Sequence, residues 1–201
     1  MSRAIYPTYT SIGVFKATYD MVRDIQLDGA IVECGVAAGS SFAQMIKASI
    51  DSGIKRKYYG FDSFEGIPYG TIEDIIQPGT GLPIDTNLKG SSGVTVHDLA
   101  GVESNLKEWG VWSDDVILVK GWFEDTLPLN DIGEISVLRL DGDLYSSTKI
   151  CLEHLYPKVQ KGGLVIIDDY ELAGCYKAVN DFIEGKGIEL KSFEYLKYWY
   201  K

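Results

Sequence analysis

The sequence predicts an α/β fold built on a doubly wound sheet, mostly parallel with an antiparallel C-terminal strand. Three observations carry that expectation. First, short β-branched and aliphatic runs alternate along the chain with segments of helical spacing. Second, residues 135–170 read strand, helix, strand. The run ISVLRLDGDLYSST breaks at Asp141-Gly142-Asp143, and GGLVIIDDY breaks at Asp168-Asp169. Residues 147–161 between them have helical spacing (Cys151, Leu152, Leu155, Val159) up to Gly162-Gly163. Such a unit is right-handed and parallel, so both acidic breaks fall at the carboxyl edge of one sheet, where open α/β folds place ligands. Third, the tail IELKSFEYLKYWYK suits a terminal pair of strands, antiparallel at least in part.

The elements follow in order. Residues 11–27 place Ile12, Phe15, Tyr19, Val22 and Ile25 on one helical face, an amphipathic helix for the domain edge. AIVEC (30–34) is a short buried strand, and Phe42, Met45, Ile46 and Ile50 continue as a helix to Gly53. YYGFD (58–62) is the second strand. Residues 63–95, rich in Gly, Pro, Asp and Ser, are the least regular part, and a loop of that length reads as a lid or binding loop. Val96, Leu99, Val102, Leu106 and Trp109 return to helical spacing, and VILVK (116–120) is the third strand, leading into Gly121-Trp122-Phe123. After the two acidic strands, Cys175, Ala178, Val179 and Phe182 form one face of a last helix.

The 201 residues are read as a single domain (1–201), large enough to bury a core without staples. A net charge of −10 argues against a nucleic-acid partner, which needs a basic footprint, and against docking on anionic membrane. Cys34, Cys151 and Cys175 lie in apolar patterns without CxxC spacing, so they are expected to be buried thiols. The stretch MSRAIYPTYT lacks an apolar signal core and no run approaches transmembrane length, which makes a cytoplasmic protein the expectation.

The first strand ends in Glu33 and is followed by Gly35 and Gly39 and then by Ser40, Ser41 and a helix. This arrangement presents backbone N–H groups and a helix N-terminus to a ligand, with glycines where side chains would block the approach. The spacing E-x-G-x-x-x-G differs from the dinucleotide fingerprint, and there is no Walker lysine. Glu33 suits a cationic ligand and repels pyrophosphate, while Asp62 ends the second strand where a carboxylate accepts from ribose hydroxyls. Together they favour S-adenosylmethionine, whose sulfonium and ammonium groups are positive.

The acidic edge needs a separate account. Two unit charges about 4 Å apart repel by roughly 4 kcal/mol at an effective dielectric of about 20. Three such pairs among Asp141, Asp168 and Asp169 cost on the order of 10 kcal/mol, comparable with the stability of a whole domain. The cluster must therefore hold protons, recruit a basic side chain or bind a hard divalent cation such as Mg2+ or Ca2+. Arg139, a charge inside a central strand, needs a partner and is a candidate to neutralise part of it. Asp143, two residues beyond Asp141, is placed to act as a general base.

On these stretches the chain resembles the macrocin O-methyltransferase (TylF-type) family, which methylates sugar hydroxyls on natural products. The residues that carry the resemblance are VECGVAAGSS, FDSFEGIP, VKGWFEDTLP, LRLDGDLYSSTKICLEHLYPKVQKGGLVIIDDY and the terminal YWYK. The resemblance implies a class I methyltransferase (Rossmann-like) fold with S-adenosylmethionine and Mg2+ as cofactors and a sugar or glycoside hydroxyl as acceptor. It implies Asp141, Asp168 and Asp169 as metal ligands, with Asp143 as base beside Asp141. It implies Glu33, Gly35, Asp62, Ser63 and the Gly121-Trp122-Phe123 turn as cofactor contacts, the last around the adenine, with Gly39, Ser40, Ser41 and Asp141 bordering them. The family pattern has Arg-Gly-Gly-Ser in the first turn where this chain has Ala37-Ala38-Gly39-Ser40, which keeps the glycine turn without a basic contact. In the family the N-terminal region helps cover the active site and form a dimer; here that region is short, which leaves a homodimer open.

Two rival readings remain. A catechol-like phenol acceptor keeps the metal, but such enzymes place a lysine where this chain has Leu144. The other is a non-catalytic S-adenosylmethionine-binding domain. His97 reads as a surface or capping residue, His154 as structural, and Tyr195, Tyr198 and Tyr200 as strand packing.

Overall fold

The computed structural model describes residues 10–75, 85 and 87–201. Its strands are β1 (Ala30–Cys34), β2 (Tyr58–Asp62), β3 (Ile67–Pro68), β4 (Ser91–Val94), β5 (Val116–Lys120), β6 (Ile135–Leu140), β7 (Val159–Ile167), β8 (Lys191–Phe193) and β9 (Leu196–Tyr200). Seven of them form one sheet in the order β5-β2-β1-β6-β7-β9-β8, and β3 and β4 pair as a separate antiparallel ribbon. The pairings β5-β2-β1-β6-β7 are parallel, whereas β9 runs antiparallel to β7, and β8 antiparallel to β9. The expected sheet, with its antiparallel end, is present.

Alternation along the strands builds two cores. Ile31, Val137, Leu164 and Ile166 face the layer of α1 (Ile12–Asp24), α2 (Ser40–Ser52) and α3 (Leu99–Glu108). Their neighbours Val32, Leu138, Val165 and Ile167 face α4 (Phe123–Thr126), α5 (Tyr145–Leu155) and α6 (Ala173–Ile183). Every residue of β6 is buried, as expected of a strand covered on both faces. Cys34, Cys151 and Cys175 are buried free thiols.

Several boundaries differ from the expectation. α1 ends at Asp24 and not near residue 27, and its buried face is Val14, Phe15, Thr18, Tyr19 and Val22, with Ile12 exposed. At the cap Ile25 the backbone turns extended, and the carbonyls that follow face a guanidinium. Arg56 donates from Nη2 to Ile25 O (2.6 Å) and from Nε to Leu27 O (2.9 Å). The helix expected over 147–161 stops at Leu155, because Pro157 lacks an N–H and its ring disfavours a continuing α-helix. Val159 already belongs to β7, which runs through Gly162-Gly163. The end of the chain holds it there: Gly162 N–H donates to Lys201 O (2.6 Å) and Lys201 N–H to Gly163 O (3.0 Å).

α3 begins three residues after Val96, where Asp98 caps it by accepting from Gly101 N–H (2.9 Å); His97 precedes the cap. The irregular segment 63–95 contains the β3–β4 ribbon and a 3₁₀ turn, Ile72–Asp74, while its residues 76–84 and 86 lie outside the described residues. Among the described residues no helix is long and apolar enough to cross a membrane.

Arg56 is 3% exposed and also donates to Ser49 Oγ (2.9 Å) and Ser52 Oγ (3.2 Å), so one guanidinium joins the end of α1 to α2 and β2. Replacing it strands the buried carbonyl of Ile25 and the half-buried one of Leu27, at about 1–3 kcal/mol for a fully buried group. Arg56→Met is expected to lower unfolding free energy by at least about 2 kcal/mol, read as a shift of the urea midpoint at constant slope.

Candidate active site

The strand order places the ends of β2, β1, β6 and β7 side by side, and the residues that follow them wall a cavity of about 1170 Å³. Of the expected cofactor contacts, Glu33, Gly35, Ser40, Ser41, Asp62, Ser63, Gly121, Trp122, Phe123 and Asp141 all line it, together with Asp143, Asp168 and Asp169. Gly39 is not among the lining residues. It precedes α2 in the left-handed region (φ +92°), and a Cβ there would meet Val102 Cγ1 at 3.2 Å, so its place is between the turn and α3.

The first turn is shaped by backbone contacts. Gly35 has φ +87°, and a Cβ on it would lie 1.7 Å from Asp141 O, so no other residue lets the end of β1 pass the end of β6. Asp62 holds the turn across the gap from β2. Its Oδ2 accepts from Val36 N–H (2.8 Å) and Ala37 N–H (3.0 Å), and its Oδ1 from Phe64 N–H (2.8 Å). Ala37, at φ +46°, is thereby kept in a conformation that L-residues rarely adopt. Asp62 thus organises the turn first; Oδ1 keeps acceptor capacity for a further partner. Ser63 Oγ donates to Gly66 O (2.8 Å) and starts the β3–β4 excursion.

Beside this turn lies a buried ion network. Arg139, 1% exposed, reaches Glu33 Oε1 at 2.6 Å, Asp141 Oδ2 at 2.8 Å and Asp168 Oδ1 at 2.9 Å. Burial opposes its charge, but the carboxylates of Asp168, Asp141 and Glu33 outweigh that and hold it protonated, its pKa raised well above the ordinary value. Burial pushes Glu33 up to about 8 against the pull of Arg139. Asp168 is pushed up to about 6 by burial, also against Arg139. Asp143 rises to about 7 through burial and the charge of Asp141, and Asp169 is raised well above its ordinary value by the same two causes. Asp143 adopts φ +58° and donates its N–H to Asp169 Oδ2 (3.0 Å), which fixes the loop between β6 and α5.

Two observations test the expected cofactors against these residues. Glu33 Oε2 is buried without a hydrogen-bond partner in the wall of the cavity, next to the glycine turn. A buried acceptor of that kind suits an ammonium group. Asp141, Asp168 and Asp169 each offer a carboxylate oxygen, all within 4.8 Å of one another. An all-oxygen set of this kind fits a hard divalent ion. Arg139 neutralises one charge of the group formed by Glu33, Asp141, Asp143, Asp168 and Asp169, and the raised proton affinity of Glu33, Asp143, Asp168 and Asp169 relieves more of it. Both groups fit.

Sequence reasoning missed two participants. Tyr195, expected to be strand packing, lines the cavity from the β8–β9 turn, and its hydroxyl accepts from Ser11 N–H at 3.4 Å. Asp74, 2% exposed, reaches from the 3₁₀ turn to the first amide of α5. Thr71-x-x-Asp74 is a capping-box pattern that marks the turn, but the reach of Asp74 to α5 and of Tyr195 to the cavity is made across the fold. His154 is structural as expected, its Nδ1 lying 3.1 Å from Ile150 O.

With this geometry in place, comparison with known proteins is informative. The family model described as Macrocin-O-methyltransferase (TylF) matches residues 10–200. The 8-demethyl-8-(2,3-dimethoxy-alpha-L-rhamnosyl)-tetracenomycin-C 4'-O-methyltransferase of Streptomyces olivaceus is 38% identical over 163 residues, 80% of this chain and 60% of that protein. This chain therefore spans less than two thirds of that relative. Mycinamicin III 3''-O-methyltransferase of Micromonospora griseorubida is 34% identical over 197 residues, 91% of this chain and 74% of that one. Among solved structures, the O-methyltransferase NovP superposes with a TM-score of 0.81 at 30% identity, covering 96% of this chain and 81% of its own. A match from residue 10 to residue 200, and relatives that share a third or more of their aligned residues, place this chain in the TylF macrocin O-methyltransferase family.

Proposed function

We propose that this protein transfers a methyl group from S-adenosylmethionine to a hydroxyl of a sugar or glycoside, with Mg2+ at the acidic edge and Asp143 as base. The observation that carries the reading is the meeting, in one cavity, of the orphaned Glu33 Oε2 beside the glycine turn and the three-carboxylate set beside Asp143. The relatives support it, since those named above methylate the 4' position of a rhamnosyl tetracenomycin and the 3'' position of mycinamicin III. The lining also favours an uncharged acceptor. Among the described residues it carries nine carboxyl side chains (Glu33, Asp62, Asp85, Glu124, Asp141, Asp143, Asp168, Asp169, Glu171) against one lysine, Lys89, so it is poor in groups that would bind an anionic acceptor.

When bound, the cofactor supplies an electrophilic methyl group and the ion supplies positive charge that acidifies the acceptor hydroxyl. The chain's own residues do the rest. Asp141, Asp168 and Asp169 would hold the ion, and Arg139 orients Asp141 and Asp168 by its ion pairs with them. Glu33 and the turn at Gly35 would hold the cofactor's ammonium end and Asp62 its ribose hydroxyls, with Trp122 and Phe123 beside the adenine. Asp143 would take the proton of the acceptor hydroxyl as the methyl group is transferred. Burial makes that carboxyl more basic than an exposed aspartate. Most of the rate advantage is positioning.

Isothermal titration tests the reading directly. S-adenosylhomocysteine should bind the wild type, and Mg2+ should bind the wild type but not Asp168→Asn; absence of S-adenosylhomocysteine binding sinks the proposal. Asp143→Asn should reduce methylation of 4-nitrophenyl α-L-rhamnopyranoside by about 100-fold or more while S-adenosylhomocysteine affinity stays within about twofold, and near-normal turnover would remove Asp143 as base.

Glu33 also predicts a pH effect. Its folded pKa of about 8 exceeds its ordinary 4.5, so between those values the folded chain holds a proton that the unfolded chain releases. That contribution to stability is present at low pH and is lost as pH rises through about 8. From about pH 5 to about pH 8, wild type should lose at least about 1 kcal/mol of unfolding free energy relative to Glu33→Gln in parallel urea titrations. Identical pH profiles would show that Glu33 is not held neutral.

A further inference from the structure

Asp74 belongs to the segment between β3 and β4, yet its carboxylate is buried under the loop that carries Asp143. Oδ1 accepts from Tyr145 N–H at 2.9 Å, a bond between residues 71 apart, and Oδ2 accepts from Thr71 N–H (2.8 Å) and Thr71 Oγ1 (3.0 Å). Tyr145 is the first residue of α5, and Leu144 before it provides no side-chain cap. Leucine is a poor residue at a helix N-cap, so this helix takes its cap from a distant segment. The same carboxylate lies against Gly174 in α6, where a Cβ would stand 1.7 Å from Asp74 Oδ1 and 2.8 Å from Tyr145 N. Glycine is unfavourable inside a helix relative to alanine, and here it leaves room for the carboxylate.

The loop from Asp141 to Tyr145 is short and is held by side chains at two amides. Asp169 binds the N–H of Asp143, and Asp74 binds the N–H of Tyr145. Gly70, Thr71 and Ile72, the residues just before Asp74, line the cavity. Cavity-lining residues 70–72 and the loop after β6 are therefore joined through one buried carboxylate. We propose that Asp74 is a positioning residue, which ties this cavity-lining stretch to the loop that presents Asp143. The inference rests on the reading of Asp143 as base for its consequence in catalysis, but its geometry is tested without turnover.

The test is amide-resolved hydrogen exchange on the full chain, comparing wild type with Asp74→Ala, Asp74→Asn and Gly174→Ala. Asp74→Ala should speed exchange at Asp143 and Tyr145 by at least tenfold, while Val165 and Ile166 in the core of β7 stay within twofold. Gly174→Ala, which leaves the carboxylate in place chemically but displaces it, should give the same local pattern. Asp74→Asn keeps one acceptor oxygen for Tyr145 N–H but turns an NH2 toward the Thr71 donors, so protection at Tyr145 should fall between wild type and Asp74→Ala. Unchanged exchange at Asp143 and Tyr145 in Asp74→Ala overturns the proposal, and so does a uniform acceleration that includes β7, which marks a purely structural role. Turnover retained by Asp143→Asn would remove the base assignment and leave this exchange pattern standing, so the two failures are distinguishable.

Discussion

The carboxyl edge of the sheet depends on one buried guanidinium. Arg139 sits in the middle of a fully buried strand and joins three adjacent strands, reaching Glu33 on β1, Asp141 beyond its own strand and Asp168 beyond β7. Side chains two residues apart on a strand share a face, so Arg139 and Asp141 are aligned by the pleat, and parallel register sets Glu33 beside Arg139 and Ile166 opposite it. An unpaired charge at such depth is expensive, and removing one partner of a buried pair strands the other. Here the pairing is reciprocal. The arginine makes a dense acidic group tolerable, and the acids keep the arginine charged where burial opposes it.

The compensation is incomplete, and the remainder bears on function. One cation faces five carboxylates, and burial raises Glu33, Asp143, Asp168 and Asp169 toward or past neutrality. A site with such a surplus favours positive ligands, because each one relieves desolvation and mutual repulsion together. Glu33 links the two halves of the site, with one oxygen on Arg139 and the other buried without a hydrogen-bond partner in the cavity wall.

Around this electrostatic centre the shape of the cavity is set by backbone. Gly35 passes within contact distance of Asp141 O, Asp62 folds the turn after β1 by taking two of its amides, and Asp74 and Asp169 take the amides of the loop after β6. Carboxylates that bind amides hold loops whose residues, Ala37 and Asp143, lie in the left-handed region. Conformations of that sort persist where the surroundings over-determine them. The acidic composition of the chain thus serves two ends, organising loops and creating a field.

Much of this was legible in the residues themselves. The alternation of apolar runs with helical spacing, and the breaks at Asp141-Gly142-Asp143 and Asp168-Asp169, determined the doubly wound sheet and the edge at which the acids gather, because strand period and crossover handedness are local rules. The glycine turn and its neighbours Glu33 and Asp62 were readable for the same reason, and the motifs were specific enough to indicate the family. Boundaries were less so: helix spacing ran on to Val159, but Pro157 and the pairing of Gly162-Gly163 with Lys201 turned those residues into strand. Only the tertiary structure decided the partners of Arg139, the commitment of Asp62 to amides, the place of Tyr195 in the cavity and the reach of Asp74 to α5. Each of these is a contact between segments far apart in the chain, and a sequence states which groups must be satisfied without stating which distant group satisfies them.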